Sequence, residues 1–216
     1  MSSFYRIFTH APSRGKSSLG HFHWVYVFRC LKANLFAQSG AAANPSALNN
    51  LQALRELATQ RRDNSIVLLS LMYECLAHAK SARTGRAESF QTCLAQAATY
   101  QLANDLQNSS ILLMLRLIDL VLTMQDKVPS TTAQKLRDLR MLLDHTDESY
   151  LSGKLNIPVR KHISASSTMS DDTLAVVVLG ANSDEFDSII VSLPDRLQLY
   201  GMVYVFRVTY LKRAKC

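Results

Sequence analysis

The chain has 216 residues, of which 48% are hydrophobic and 19% charged, which allows one ample core and excludes a wholly disordered protein. Seven glycines and five prolines are too few for a many-stranded sheet with frequent turns, so long helices are favoured. The net charge of +7 gathers at the ends: residues 1–40 carry Arg6, Arg14, Lys16, Arg29 and Lys32 without an acid, and Arg207, Lys212, Arg213 and Lys215 fall in the last ten residues.

Residues 1–20, with Pro12, Gly15, Gly20 and several serines, read as a disordered basic lead-in. The spacing then predicts six helical segments. The first runs roughly over 21–38, where Phe22, Val25, Phe28, Cys30, Leu31 and Leu35 make a broad apolar face. Gly40 and Pro45 mark a turn, and Pro45 suits the start of a second helix near 46–60 with Leu48, Leu51, Leu54 and Leu57 on one stripe. Arg61 and Arg62 complement the negative end of its dipole. Asn64 and Ser65 are N-cap types for a third helix, 65–82, and Thr84 and Gly85 turn the chain into a fourth, 86–104. Asn108 and Ser109 open a fifth that is nearly apolar all round, the mark of a helix buried on most sides. Pro129 and Ser130 open the sixth.

Odd helices begin near 21, 65 and 108, and even ones near 46, 86 and 130, so a helix–turn–helix unit recurs about every 43–44 residues. That period predicts an all-α fold, an α-solenoid of three tetratricopeptide-like hairpins over 21–145; a non-repetitive helical bundle is the alternative. Ala33, Ala37, Ala77 and Ala79 stand late in the first and third helices, where close packing calls for small residues. Residues 146–172 are polar and read as an irregular linker. The short β-branched runs TLAVVVL and SIIVSL within 173–193 predict a small β-hairpin insertion, and Arg196–Leu211 a C-terminal helix.

Enzyme signatures are missing. Gly15, Lys16 and Ser17 resemble the end of a phosphate-binding loop, yet His10 stands at its first glycine position and Pro12 removes a backbone donor. His21 and His23 are two apart and leave a helix on different sides. Cys75 and His78 share a face, but no second pair has zinc spacing. The four cysteines at 30, 75, 93 and 216 form no C-x-x-C pair and suit a reduced, intracellular protein. No stretch reads as membrane-spanning, since Arg116 and Asp119 interrupt the most apolar run. No catalytic residue, metal ligand or cofactor is expected. Stepping one repeat at a time from Arg29 reaches Tyr73 and then Arg116; in register, these three line a concave groove for an acidic or amphipathic peptide. The basic ends suit DNA or an acidic partner, or are simply solvated.

Several patches resemble one family. They are the run His21, Phe22, His23, Trp24, Val25, Tyr26 and Val27; the sixth helix from Gln134 to Asp144 (QKLRDLRMLLD); and Ile157 to Lys161 (IPVRK). Further along, Val178, Leu179 and Gly180, then Asp187 to Leu193 (DSIIVSL), then Leu199 to Val203 (LYGMV) follow in a fixed order. Together, over roughly 20–206, these resemble the fungal cohesin-loading factor family, the tetratricopeptide-like subunit of the cohesin loader. Members are longer, with repeats on both sides, so this chain reads as a fragment or shortened form. The resemblance implies a nuclear, non-catalytic scaffold that grips the N-terminal segment of the large HEAT-repeat loader subunit. Through that subunit it meets cohesin and supports sister chromatid cohesion, with chromatin or DNA touched through the basic termini and no membrane involved. Two other readings stay open: a generic α-solenoid adaptor, and the helical regulatory region of a fungal transcription factor.

Overall fold

The computed structural model describes residues 22–80, 86–101, 109–125, 129–147, 151–160, 176–180 and 185–214. The expected lead-in over 1–20 lies outside them. Seven helices are described: α1 (Phe22–Gln38), α2 (Pro45–Arg61), α3 (Asn64–Lys80), α4 (Arg86–Gln101), α5 (Ser109–Gln125), α6 (Pro129–His145) and α7 (Arg196–Ala214). Three strands, β1 (Lys154–Arg160), β2 (Val177–Val178) and β3 (Phe186–Ser192), form one small sheet. None of the described helices is long and apolar enough to cross a membrane.

Local chemistry sets the helix ends. Asn44 caps α2, its side chain accepting from the Ser46 N–H at 2.9 Å, and Pro45 occupies the first turn, where its missing donor costs nothing. At the other end Arg62 turns left-handed, φ 61°, and its N–H returns to the last carbonyls of the helix. The Asp63 carbonyl accepts from Ile66 and Val67, so α3 starts one residue earlier than the Asn64 cap expected from sequence. At the start of α7, the Asp195 carboxylate accepts from the Gln198 N–H at 2.8 Å while the Gln198 side chain accepts from the Asp195 N–H at 3.0 Å. This reciprocal pair is a capping box.

α3 is the centre of the molecule. Every residue from Ile66 to Met72 is buried, because α1, α2, α4, α5 and β1 all pack against it. α5 is shared between two cores. Ile111, Leu115, Ile118 and Leu122 join the first, with Tyr26, Leu54, Leu68, Phe90 and the sheet residues Ile157 and Ile189. Leu113, Leu117, Leu120 and Met124 join the second, with Leu139 and Leu143 of α6 and Leu199 and Val203 of α7. Both sets follow the same 4-3-4 spacing, offset by two residues, and so leave the helix on different faces. The polar residues of α5 are held accordingly: buried Asp119 receives the Lys135 ammonium of α6 at 2.8 Å, and that ammonium also donates to Thr123.

The sheet runs in the order β1-β3-β2, with β3 antiparallel to both neighbours and Ile157 and Val177 each opposite Ile189. The β2–β3 pair is the hairpin read from the sequence. β1 corrects that reading, since residues 154–160 were expected to be irregular linker and instead add a third strand. Leu155, Ile157 and Val159 alternate inward with period two, and Pro158 is tolerated because β1 is an edge strand. The remainder of the expected linker from Lys161 onward lies outside the described residues.

Candidate functional site

α1 faces the interior with His23, Tyr26, Cys30 and Ala33. His23 Nδ1 lies 3.3 Å from the Asp187 carboxylate of β3, which also accepts from the Gly180 N–H at 3.2 Å. The Tyr26 hydroxyl donates to Asp63 at 2.7 Å. The same carboxylate takes Arg61 Nε at 3.2 Å and stands 3.5 Å from the Arg160 N–H of β1. Burial first, and then the bond to Asp63, pushes the Tyr26 phenol well above its ordinary range. Arg61 also donates to the Arg160 carbonyl at 2.6 Å and lies over the Phe22 ring at 3.8 Å. The basic end of α2 therefore serves as a tether to α1 and β1, more than as a complement to its own dipole.

The outer side of α1 is unlike a solvated helix face. Phe28, Leu31 and Leu35 are 48%, 51% and 58% exposed, and half-buried Trp24 continues the row, its ring 5.9 Å from that of Phe28. The spacing 24, 28, 31, 35 is that of a helix–helix seam. α1 contains no acid; its cations are Arg29 and Lys32. A second set of exposed large apolar side chains, Leu197, Tyr204, Val205 and Leu211, lies on α7.

The three residues derived from repeat register take different surroundings. Arg29 is half-buried and donates to Asn50 of α2 at 3.4 Å, while the Asn50 amide donates to the Arg29 carbonyl at 2.9 Å. Its Nε is buried with no hydrogen-bond partner among the described residues, and burial pulls the guanidinium's pKa below its ordinary value. Tyr73 borders a cavity of about 190 Å³ between α1, α2 and α3, into which Ala33, Ala37, Ala47 and Ala77 also face. These small residues leave space where sequence suggested close packing. Burial, with Cys30 nearby and against a hydrogen bond to Asn34, pushes the Tyr73 phenol up to about 12. Arg116 is exposed on α5.

A pocket of about 350 Å³ opens between α3 and α4, with Arg55 of α2 at its edge. Glu74 and His78 of α3 and Cys93 of α4 place their ligand-type atoms within 4.8 Å of one another. Arg55 donates to Glu74. The Cys93 thiol beside it, together with burial, pushes the Cys75 thiol upward. Sequence spacing paired His78 with Cys75; the fold pairs it with Glu74 and Cys93.

The family model for cohesin loading factors matches residues 14–213, from before α1 to the last turn of α7. The chain belongs to the cohesin loading factor family. It thus has a role in cohesin loading and sister chromatid cohesion, within the loading machinery that acts on chromosomes. No curated protein and no solved structure matches the chain. Family membership favours the cohesin-loader resemblance over the transcription-factor and generic-adaptor readings. The patches that carried that resemblance also meet in space: His23 of the first touches Asp187 of a later one, and Ile157 of another pairs with Ile189 across the sheet.

Proposed function

We propose that this member of the cohesin loading factor family is a nuclear, non-catalytic scaffold that grips the extended N-terminal segment of the large HEAT-repeat loader subunit. The observation that carries the reading is the apolar row of half-buried Trp24 and exposed Phe28, Leu31 and Leu35 on α1, flanked by Arg29 and Lys32. Exposed large apolar side chains in a continuous row mark interaction surfaces, and the absence of acid on α1 favours an amphipathic segment with acidic flanks. An α-solenoid accounts for the packing of α3 against both α1 and α5, the first helices of the neighbouring hairpins. Arg29, Tyr73 and Arg116, on those three helices, would line its groove. Exposed Arg207 and Lys212 on α7 supply a basic surface for chromatin.

The test is capture from nuclear extract with mass spectrometry of what is retained. Recovery of a large HEAT-repeat protein together with cohesin subunits supports the scaffold. Leu31→Asp with Leu35→Asp should abolish that recovery while leaving the circular dichroism spectrum unchanged, because both side chains are exposed. Recovery undiminished by the double variant sinks the α1 surface. Failure of the wild-type chain to retain a loader subunit that is present in the extract sinks the scaffold reading.

A further inference from the structure

We propose that Glu74, His78 and Cys93 form a binding site for a divalent transition-metal ion of the zinc class, stapling α3 to α4. The site stands apart from the loader reading, which needs no metal.

The three side chains reach one point from two helices. Glu74 and His78 are four residues apart and share a face of α3, one above the other. Cys93 comes from the facing side of α4, where it is buried beside Phe90 and Ala97. Zinc bonds of about 2.0–2.3 Å in a tetrahedron separate neighbouring ligand atoms by roughly 3.5 Å. Atoms already within 4.8 Å close to that spacing with small side-chain rotations. Combining a thiolate, an imidazole and one carboxylate selects zinc or cobalt over magnesium or calcium, which want oxygen alone.

The surroundings fit the same ion. The pocket opens to solvent, which provides an entry path and room for a water in the fourth position. Arg55 fixes the Glu74 carboxylate, so one of the ligands has a partner that orients it. Two anionic ligands neutralise the ion, and Glu88 on the pocket wall balances Arg55.

The experiment is a cobalt titration of the reduced, chelator-treated full chain, followed by absorption. The expected result is a thiolate-to-cobalt charge-transfer band, with visible bands of tetrahedral intensity, that saturates at one equivalent and is bleached by zinc. Cys93→Ser should remove the charge-transfer band, and Cys30→Ser should leave it intact. His78→Ala alters a half-buried side chain outside the hydrophobic core and should fold normally. It should weaken cobalt binding by more than the roughly 10- to 100-fold typical of losing an outer-shell partner. A cobalt spectrum unchanged from that of the aqueous ion overturns the site. So does a charge-transfer band that survives Cys93→Ser, or an affinity indifferent to His78→Ala.

Discussion

His23 on α1 and Asp187 on β3 stand 3.3 Å apart, both almost fully buried, though 164 positions separate them in the chain. The contact joins the first helix to the central strand of the sheet, and the same carboxylate closes the β2–β3 turn through the Gly180 N–H. Asp187→Ala would remove this acceptor from buried His23 and from the half-buried Gly180 N–H. The expected loss is about 1–3 kcal/mol, the range for taking away the partner of a buried polar group. Urea denaturation followed by circular dichroism measures it. A loss below about 0.5 kcal/mol, typical of an ordinary surface substitution, would show that the contact carries no structural weight.

Tyr26 and Asp63 make the corresponding link on the other side of α1. Tyr26→Phe removes one hydrogen bond and keeps the ring, so about 1–2 kcal/mol should be lost. Asp63→Ala should cost more, because the Tyr26, Arg61 and Arg160 donors all converge on that carboxylate. A double-mutant cycle between the two positions should return a coupling of the same size as the Tyr26→Phe loss. Additivity would place the cost elsewhere.

The helices were largely legible in the sequence because their signals are local. Pro45 and Pro129 do begin helices, and the apolar run of α5 lies between two cores as its all-round hydrophobicity implied. β1 was hidden because its seven residues lie in polar surroundings and include Pro158, which argues against a strand unless the strand is at an edge. The Asp195–Gln198 capping box was readable from its spacing, an Asp three residues before a Gln at the head of a helical run. The Glu74, His78 and Cys93 cluster was only half visible. Spacing within α3 puts Glu74 and His78 together, but which face of α4 meets them is decided by packing. The exposure of Phe28, Leu31 and Leu35 on α1 was hidden for the same reason: periodicity identifies an apolar face without saying what covers it.

Lys135 tests the packing of α6 on α5. Its ammonium holds the buried Asp119 carboxylate and Thr123 across the α5–α6 interface. Lys135→Met keeps most of the side-chain volume and strands the carboxylate, with an expected loss of about 3 kcal/mol. Combining it with Asp119→Leu should restore much of that loss, because the unpaired charge disappears. If the double variant is no better than Lys135→Met, the cost comes from packing and not from charge.

Alkaline pH probes the cavity between α1, α2 and α3. Burial raises the Tyr73 phenol from 10.0 to about 12 and the Cys30 thiol from 9.0 to about 12. Both groups are therefore held neutral in the folded chain at a pH where the unfolded chain has already released their protons. Over that window the unfolded state binds fewer protons, so stability falls as pH rises. Their contribution is complete below about pH 9, begins to drop as unfolded Cys30 and then unfolded Tyr73 ionise, and is gone above about pH 12. Tyr73→Phe should flatten the decline above pH 10, because the variant has no phenol to titrate. Chemical denaturation midpoints for the two proteins should separate as pH rises, with the variant becoming the more stable. Parallel curves would mean that the Tyr73 phenol titrates alike in the folded and unfolded chains, and so that the side chain is open to water.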